Sequence, residues 1–549
     1  MTRRYAPSIP AISLILWWIV PSLIFPERLL NADGDLLRHI GHGEWMLRHH
    51  ALIHADPFSF TRAGQPFVGF EYGSQLIFAL VHRAAGLAGV AIFAGLLIGT
   101  AYALFARFLL SRGADPLLTY LATVAAAVLG ASHWAARPHL FTLVAVVALM
   151  ALLEPGRQED GKAASASLRG APKGRDEAIE SLDHPIASGA WRPRNDAALA
   201  FVLFAVWANL HAGFVFGLGL IGVYLAGHVI EYQLGNDRGT ERGEIRRLAV
   251  LLGAGVLGTL VNPHFLALHR HIIAFFGQPF LTDNTFEFMS PDFHGVFGKL
   301  LMGALFMVIV LLAVSPRRPH AARLLAILAM TYLTLTARRN VQLFGIVVPA
   351  IMVLLFDDAW RRLPDWRGIR AVFQRDAPLG HTAPFVTALC LGFGALALSH
   401  GQVLHRTLVP NTVSVETFPV GVVRRARAEH VEGRIFHSFI WGGYLIYAWP
   451  EQKVFIDGGT DFYGPALMRS WMEISGLAPG WQESLDTFGI SLALVSPNSP
   501  FAHELLREPG WQLRDCDATA VLLQKSGGPS MRSTADSLLD ACDKKASGP

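Results

Sequence analysis

From about residue 11 to residue 402, long apolar stretches recur every twenty to forty residues, broken only by short polar segments. A chain built this way places backbone in lipid, where every N–H and C=O must be satisfied inside its own element, so helices are what it folds into. Apolar windows fall near residues 10–30, 86–111, 116–134, 138–153, 197–211, 214–232, 248–262, 299–315, 322–337, 341–356 and 384–401. Several are shorter than the roughly 20 residues needed to cross a bilayer, so polar flanks complete those spans at the interface. Over the whole chain 52% of residues are hydrophobic and only 16% charged, against roughly 25% charged in soluble domains. Composition turns ordinary after residue 402. The expected architecture is a polytopic α-helical membrane domain over residues 1–402 with about 11 transmembrane helices, a soluble α/β domain over 403–525, and a flexible tail over 526–549.

The net charge of +4, from 46 basic and 42 acidic residues, is too small to argue for nucleic acid. Topology accounts better for the basic residues. With eleven spans, the segments bearing Arg157 to Arg175, Arg238 to Arg247, Arg317 to Arg323 and Arg361 to Arg375 all fall on one side, which the Lys/Arg bias makes cytoplasmic. Met-Thr-Arg-Arg before the first span puts the N-terminus there too, and Phe25-Pro26-Glu27-Arg28 lacks a small-residue cleavage pattern, so the segment reads as a retained signal anchor. Residues 154–196, rich in Gly, Ala, Ser and alternating charge, read as a flexible cytoplasmic linker. The opposite side receives the first loop (31–85), the turns at 134–139, 209–214 and 338–340, the loop 262–298 and the C-terminal domain.

Ionisable groups at membrane depth are costly and persist where they line a cavity, pair or do chemistry. Nearly all the unusual ones fall on that outer side. A helix starting at Asp35 puts Leu36, Leu37, Ile40 and Leu47 on one face and Asp35, His39, His42 and Met46 on another, an interfacial amphipathic helix. Asp33 and Asp35 are candidate acid–base groups, although an aspartate at a helix start is often only a cap worth about 1 kcal/mol. Glu71 is a second carboxylate at a helix start, and two such groups can serve as base and as orienter or metal ligand. His54 and Asp56 lie between them. Arg137, Arg338 and Arg339 suit phosphate oxygens, against the alternative that Arg338 and Arg339 merely snorkel. His139, Asn209, His211, Asn262, His264 and Asn340 complete the turns as hydroxyl-binding candidates. Asp35, His39 and His42, at i, i+4 and i+7, can form a divalent metal site or simply a polar helix face.

In the C-terminal domain, residues 433–436, 442–447, 453–457 and 492–495 read as strands, with helices near 417–430 and 464–486. The run Val454 to Asp461 ends a strand in a Gly-rich turn, either a ligand site or an ordinary loop. No nucleotide-binding glycine motif or nucleophile elbow is present, so the domain is expected to cap the membrane cavity or bind an acceptor. Cys516 and Cys542 can pair if the domain is extracytoplasmic; otherwise Cys542 sits unpaired in the tail.

Asp33-Gly34-Asp35 just after the first span and Glu71 before the second resemble the GT-C superfamily of integral-membrane glycosyltransferases, such as protein mannosyltransferases, aminoarabinose transferases and oligosaccharyltransferase catalytic subunits. Asp33 to His39, Asp56 to Ser59, Arg137 to His139 and Asn262-Pro263 are similar to stretches in bacterial GT-C-like membrane proteins. The resemblance spans most of residues 8–402. It implies a polyprenyl-phosphate sugar donor, a glycan, lipid or protein acceptor, and inverting transfer on the outer face of a bacterial cytoplasmic membrane, with Asp35 or Asp33 as base. It leaves open a divalent metal such as Mg or Mn, which some members need and others do not. A transporter or flippase, and a non-catalytic factor of cell-envelope polysaccharide assembly, remain the alternatives.

Overall fold

The computed structural model describes residues 8–32, 34–155, 193–315, 318–364, 368, 379–526 and Cys542. Asp33, most of the 154–196 segment and all of the tail after residue 526 except Cys542 lie outside the described residues.

Up to residue 402 the chain is helical: α1 (Ile9–Ile19), α2 (Pro26–Asn31), α3 (Asp35–His49), α4 (Tyr72–Ser111), α5 (Pro116–Gly130), α6 (His139–Leu153), α7 (Pro193–Leu210), α8 (Phe214–Gln233), α9 (Arg238–Thr259), α10 (Leu266–Phe276), α11 (Pro279–Asp283), α12 (Val296–Ala313), α13 (Ala321–Thr336), α14 (Val341–Arg362) and α15 (Leu379–Leu398). Among the described residues, five helical stretches are long and apolar enough to cross a membrane, against the about 11 expected: Tyr72–Ser111, Pro116–His133, Phe214–Gln233, Val296–Ala313 and Arg338–Arg362. Six more apolar helices are shorter. The boundaries differ from the sequence reading in two places. α4 begins at Tyr72, matching the reading of Glu71 as a residue at a helix start but inside the loop drawn at 31–85, and breaks at Gly86, where Asn411 Oδ1 accepts the Ala88 N–H at 3.1 Å and caps the second half. α9 begins ten residues before the apolar window, on a charged first half capped by Asp237.

Local signals explain the ends. Asp115 accepts from the N–H groups of Leu117 and Leu118 at 3.0 and 3.1 Å, with Pro116 at the first helical position, so α5 starts there. α4 is the hub: its buried Phe78, Tyr102 and Phe105 pack among α1, α3, α5 and α6. Val202, Val206, Phe306, Ile309, Leu328 and Tyr332 are exposed, an apolar surface suited to lipid.

The bundle has two chemically distinct ends. At one, Arg323 pairs with Glu154 at 2.7 Å, Arg112 and Arg247 bond the last carbonyls of α6, and Asp357 accepts the Asp115 N–H. At the other lie α3, the turns at 131–133 and 338–340, and the C-terminal domain.

That domain contains a two-stranded β1 (Gln402–Val403) and β2 (Arg406–Thr407), then α16 (Val420–Ala428), β3 (Arg434–His437), α17 (Trp441–Ala448), α18 (Thr460–Ser475), α19 (Trp481–Phe488), β4 (Ile490–Val495), α20 (Pro500–Arg507), β5 (Trp511–Cys516) and β6 (Val521–Lys525). The main sheet runs β3-β4-β6-β5, with β3 parallel to β4 and the other pairs antiparallel. Cys516 and Cys542 form a disulfide with Cα atoms 5.8 Å apart.

Two strand assignments are corrected. Residues 442–447 belong to the helix α17, whose glycines allow tight packing: a Cβ at Gly443 would meet the Gly34 carbonyl at 2.2 Å. Residues 453–457 are extended but join no sheet. They bond the first loop instead, Val454 N–H to the Phe58 carbonyl at 3.0 Å and Phe60 N–H to the Val454 carbonyl at 3.1 Å.

Candidate functional site

α3 carries the centre of the site. Leu36, Leu37 and Ile40 are buried in the bundle core, which turns Asp35, Arg38, His39 and His42 toward α4 and the C-terminal domain. The helix is therefore packed on both sides, not interfacial, since His39 and His42 are as buried as its leucines. Arg38 Nε stands 3.7 Å from Asp35 and 3.8 Å from Asp457. Asp457 is held by the Gly459 N–H at 2.7 Å and the Tyr463 hydroxyl at 2.9 Å. A Cβ at Gly458 would lie 1.8 Å from Asp35 Oδ1, so a larger residue there displaces that carboxylate. Arg137 pairs with both Asp35 and Glu287, and Arg339 lies 4.0 Å from Glu287.

Glu71 sits at the start of α4, 3.6 Å from His39 Nδ1 and 4.0 Å from His211 Nε2. A chain of hydrogen bonds orients His211. Trp207 donates to Thr142 Oγ1 at 2.8 Å, Thr142 bonds His211 Nδ1 at 2.8 Å, and the Gly213 N–H bonds the same nitrogen at 3.0 Å. Nδ1 is thus an acceptor, so the neutral ring carries its proton on Nε2, facing Glu71.

Burial pushes the Glu71 carboxyl up to about 7, with the Arg38 cation opposing that rise. Asp457 is likewise raised by burial, to about 6, against Arg38. Burial lowers His211 to about 3 and holds His39 and His42 well below the usual imidazole range. Burial works against ionisation of Glu287 as well, but Arg137 and Arg339 outweigh it and keep that carboxyl low. The site at neutral pH therefore combines neutral imidazoles, firm guanidinium–carboxylate pairs and one carboxyl poised to gain or lose a proton.

A small cavity of about 20 Å³ lies beside these groups, walled by Arg38, His42, Glu71 and Gln75 on one side and Asp457, Asp461 and Tyr463 on the other, with Phe58, Phe67 and Phe70 between. Arg38 Nε, His42 Nε2 and Gln75 Oε1 are buried there without a hydrogen-bond partner. Unmet polar atoms converging on one cavity are what a polar occupant satisfies.

Of the residues singled out in the sequence, the structure gathers Asp35, His39, His42, Glu71, Arg137, His211 and Arg339. His139 starts α6 and bonds the His133 carbonyl at 2.9 Å. Asp56 lines the cavity and holds the turn through Ser59 and the Phe58 N–H. His264 bonds the Gly69 N–H and faces His54, one step outside. Arg338 lies over the Phe286 ring, 3.9 Å from its centroid. Asn209, Asn262 and Asn340 spend their amides on backbone carbonyls and build turns. Asp33 lies outside the described residues.

The outer carboxylates do not form a ready metal site: among the described residues they bring no three ligand atoms within 4.8 Å of one another. Guanidiniums stand between them. The trio Asp35, His39 and His42 does not converge either, since Asp35 faces Arg137 while both imidazoles face Gln75.

Sequence reasoning missed Arg38, Gln75, Glu287 and Asp461. Arg38 was recoverable, for it lies three residues after Asp35 on the same helix face. Asp461 sat at the end of a turn already noted. Glu287 had no local signal.

No family model matches the chain, and no curated protein matches it. Among solved structures it is similar to the Archaeoglobus fulgidus oligosaccharyltransferase tethered with an acceptor peptide, at 13% identity and a TM-score of 0.48, covering 89% of this chain and 68% of that one. The archaeal oligosaccharyltransferase AglB from the same organism, in complex with an inhibitory peptide and a dolichol-phosphate, matches at 13% identity and 0.46, covering 89% and 69%. The arabinofuranosyltransferase AftD from Mycobacteria matches at 16% identity and 0.47, covering 95% of this chain and 42% of that one. At such identities and scores the likeness decides nothing about chemistry, which rests on the side chains themselves.

Proposed function

We propose that the protein is an integral-membrane glycosyltransferase that moves a sugar from a polyprenyl-phosphate donor to an acceptor hydroxyl on the outer face of a bacterial cytoplasmic membrane. The observation that carries this reading is Glu71, a buried carboxyl of near-neutral proton affinity on a polar cavity at the end of an apolar helical bundle. The donor's lipid lies in the bilayer while its sugar approaches the cavity, which widens to bring it against the phenylalanine rings and unmet polar atoms. Glu71 takes the acceptor hydroxyl proton, the acceptor oxygen bonds the anomeric carbon on the face opposite the leaving group, and the bond to the lipid phosphate breaks with its electron pair on the phosphate oxygen. Arg137 and Arg339 stabilise that charge. Asp35 is then an orienter of Arg137 rather than the base, and no step requires a metal.

The test is transfer from radiolabelled polyprenyl-phosphate mannose or arabinose in vesicles holding wild type or Glu71→Gln. Wild type should consume the donor and release polyprenyl phosphate, and the variant should lose roughly a hundredfold to ten-thousandfold of that rate. Equal rates in both would remove Glu71 from the mechanism.

A second reading, a non-catalytic polysaccharide assembly factor, is favoured by the pairing of Asp35 and Glu287 with Arg137. Sugar binding without donor turnover would select it.

A further inference from the structure

At the end of the bundle away from Glu71, three helices meet through a separate cluster. His228 lies in the last turns of α8, Glu241 in the first turn of α9, and His320 caps α13. His228 Nδ1 is 2.7 Å from Glu241 Oε2, and His320 Nε2 is 3.2 Å from Glu241 Oε1. The two imidazole centroids are 4.4 Å apart. One ligand atom from each residue lies within 4.8 Å of the others, and no second such group of three occurs among the described residues. Glu241 is buried and both histidines are partly so. The approach is tight because residue 227 is glycine: a Cβ there would lie 2.2 Å from the Ala322 Cα. The far ends of the same helices carry His211, Asn262 and Arg338, and the twenty residues of α8 alone span roughly 30 Å.

We propose that His228, Glu241 and His320 bind a divalent cation of the zinc class and so clamp α8, α9 and α13 together. Two imidazoles and one carboxylate suit zinc better than magnesium or calcium, which take oxygen ligands. Three protein ligands leave a fourth position for water. His320 shows what must change on binding. Its Nδ1 accepts the Ala322 N–H at 3.1 Å, which leaves the ring proton on Nε2, facing Glu241. The cation takes Nε2, the proton moves to Nδ1, and the cap to Ala322 is exchanged for a bond to water, which the partly exposed ring can reach. Zinc coordination is the gain against one lost capping bond and the two His–Glu241 hydrogen bonds that it replaces. This site is independent of the outer cavity and of the transferase reading.

The test uses untagged full-length protein in nanodiscs, stripped with chelator, then loaded with zinc and counted by mass spectrometry after gel filtration. His320→Asn is the informative variant: asparagine is a favoured helix cap, so the fold is retained while the imidazole ligand is lost. Wild type should hold one more zinc per chain than His320→Asn or Glu241→Gln, and zinc affinity in both variants should fall roughly a hundredfold or more. Cobalt in place of zinc should give a visible ligand-field band in wild type alone. Equal zinc content in wild type and His320→Asn would overturn the proposal, leaving a metal-free hydrogen-bonded His–Glu–His cluster. Counting the difference between proteins separates this site from any metal held at the outer cavity, which both variants keep.

Discussion

Glu71 owes its near-neutral proton affinity to burial that Arg38 only partly offsets. Activity that depends on the ionised form should rise as pH passes about 7 and level off above it, and a pH–rate profile of donor consumption would check this. Stability should move the other way. The carboxyl titrates near its ordinary 4.5 in the unfolded chain and near 7 in the folded one, so between those values the folded state holds more protons. Stability should therefore fall as pH rises through that window, by about 3 kcal/mol from this group. Glu71→Gln should flatten that slope in thermal unfolding scans. Arg38 tests the same balance: Arg38→Met leaves Asp35 and Asp457 without the cation between them and should cost about 3 kcal/mol. At this scale Asp35, Glu71 and Arg137 were legible because charge in an apolar context is conspicuous. The roles of Asn209, Asn262 and Asn340 were not, since an amide that bonds a backbone carbonyl looks in sequence like one that bonds a ligand.

Among elements, the contact between α3 and the 457–463 turn matters most. Gly458→Ala should swing the Asp35 carboxylate out of its pairing with Arg137 and lower transfer at least tenfold, while the domain's own unfolding temperature changes little; wild-type transfer would show that the close approach is not needed. The disulfide closes a sequence separation of 26 residues onto β5, and Cys516→Ser should destabilise the C-terminal domain by about 3 kcal/mol, read as a fall in its unfolding temperature that reductant reproduces in wild type. The apolar helices of the bundle were readable from runs of apolar residues, whereas the charged first half of α9 was not. Short elements of the C-terminal domain were less so. A run such as Gly-Gly-Tyr-Leu-Ile-Tyr at 442–447 fits a strand by composition, and only its close packing against Gly34 makes it a helix. Val454 to Asp457 has strand composition too, but its backbone partner lies almost four hundred residues away in the first loop.

For the whole molecule, the two ends of the bundle give opposite labelling expectations under the proposed orientation. In a Cys390→Ser background, a membrane-impermeant thiol reagent applied to intact cells should modify Ser526→Cys and leave Ser315→Cys untouched. The reverse pattern would place the cavity in the cytosol and remove the proposed donor from reach. The sequence showed which segments share an end, because arginines cluster on one side of the apolar runs. It could not show that residues 38–75 and 457–463 close on the same cavity, since that pairing depends on three-dimensional docking with no local trace. The docking also has a temporal meaning. Translation must pass residue 463 before the cavity has its second wall, so a half-made chain already threaded into the bilayer carries Glu71 but no finished pocket. Under the proposed function, synthesis and competence are thereby kept apart, and a product truncated before residue 457 should consume no lipid-linked sugar.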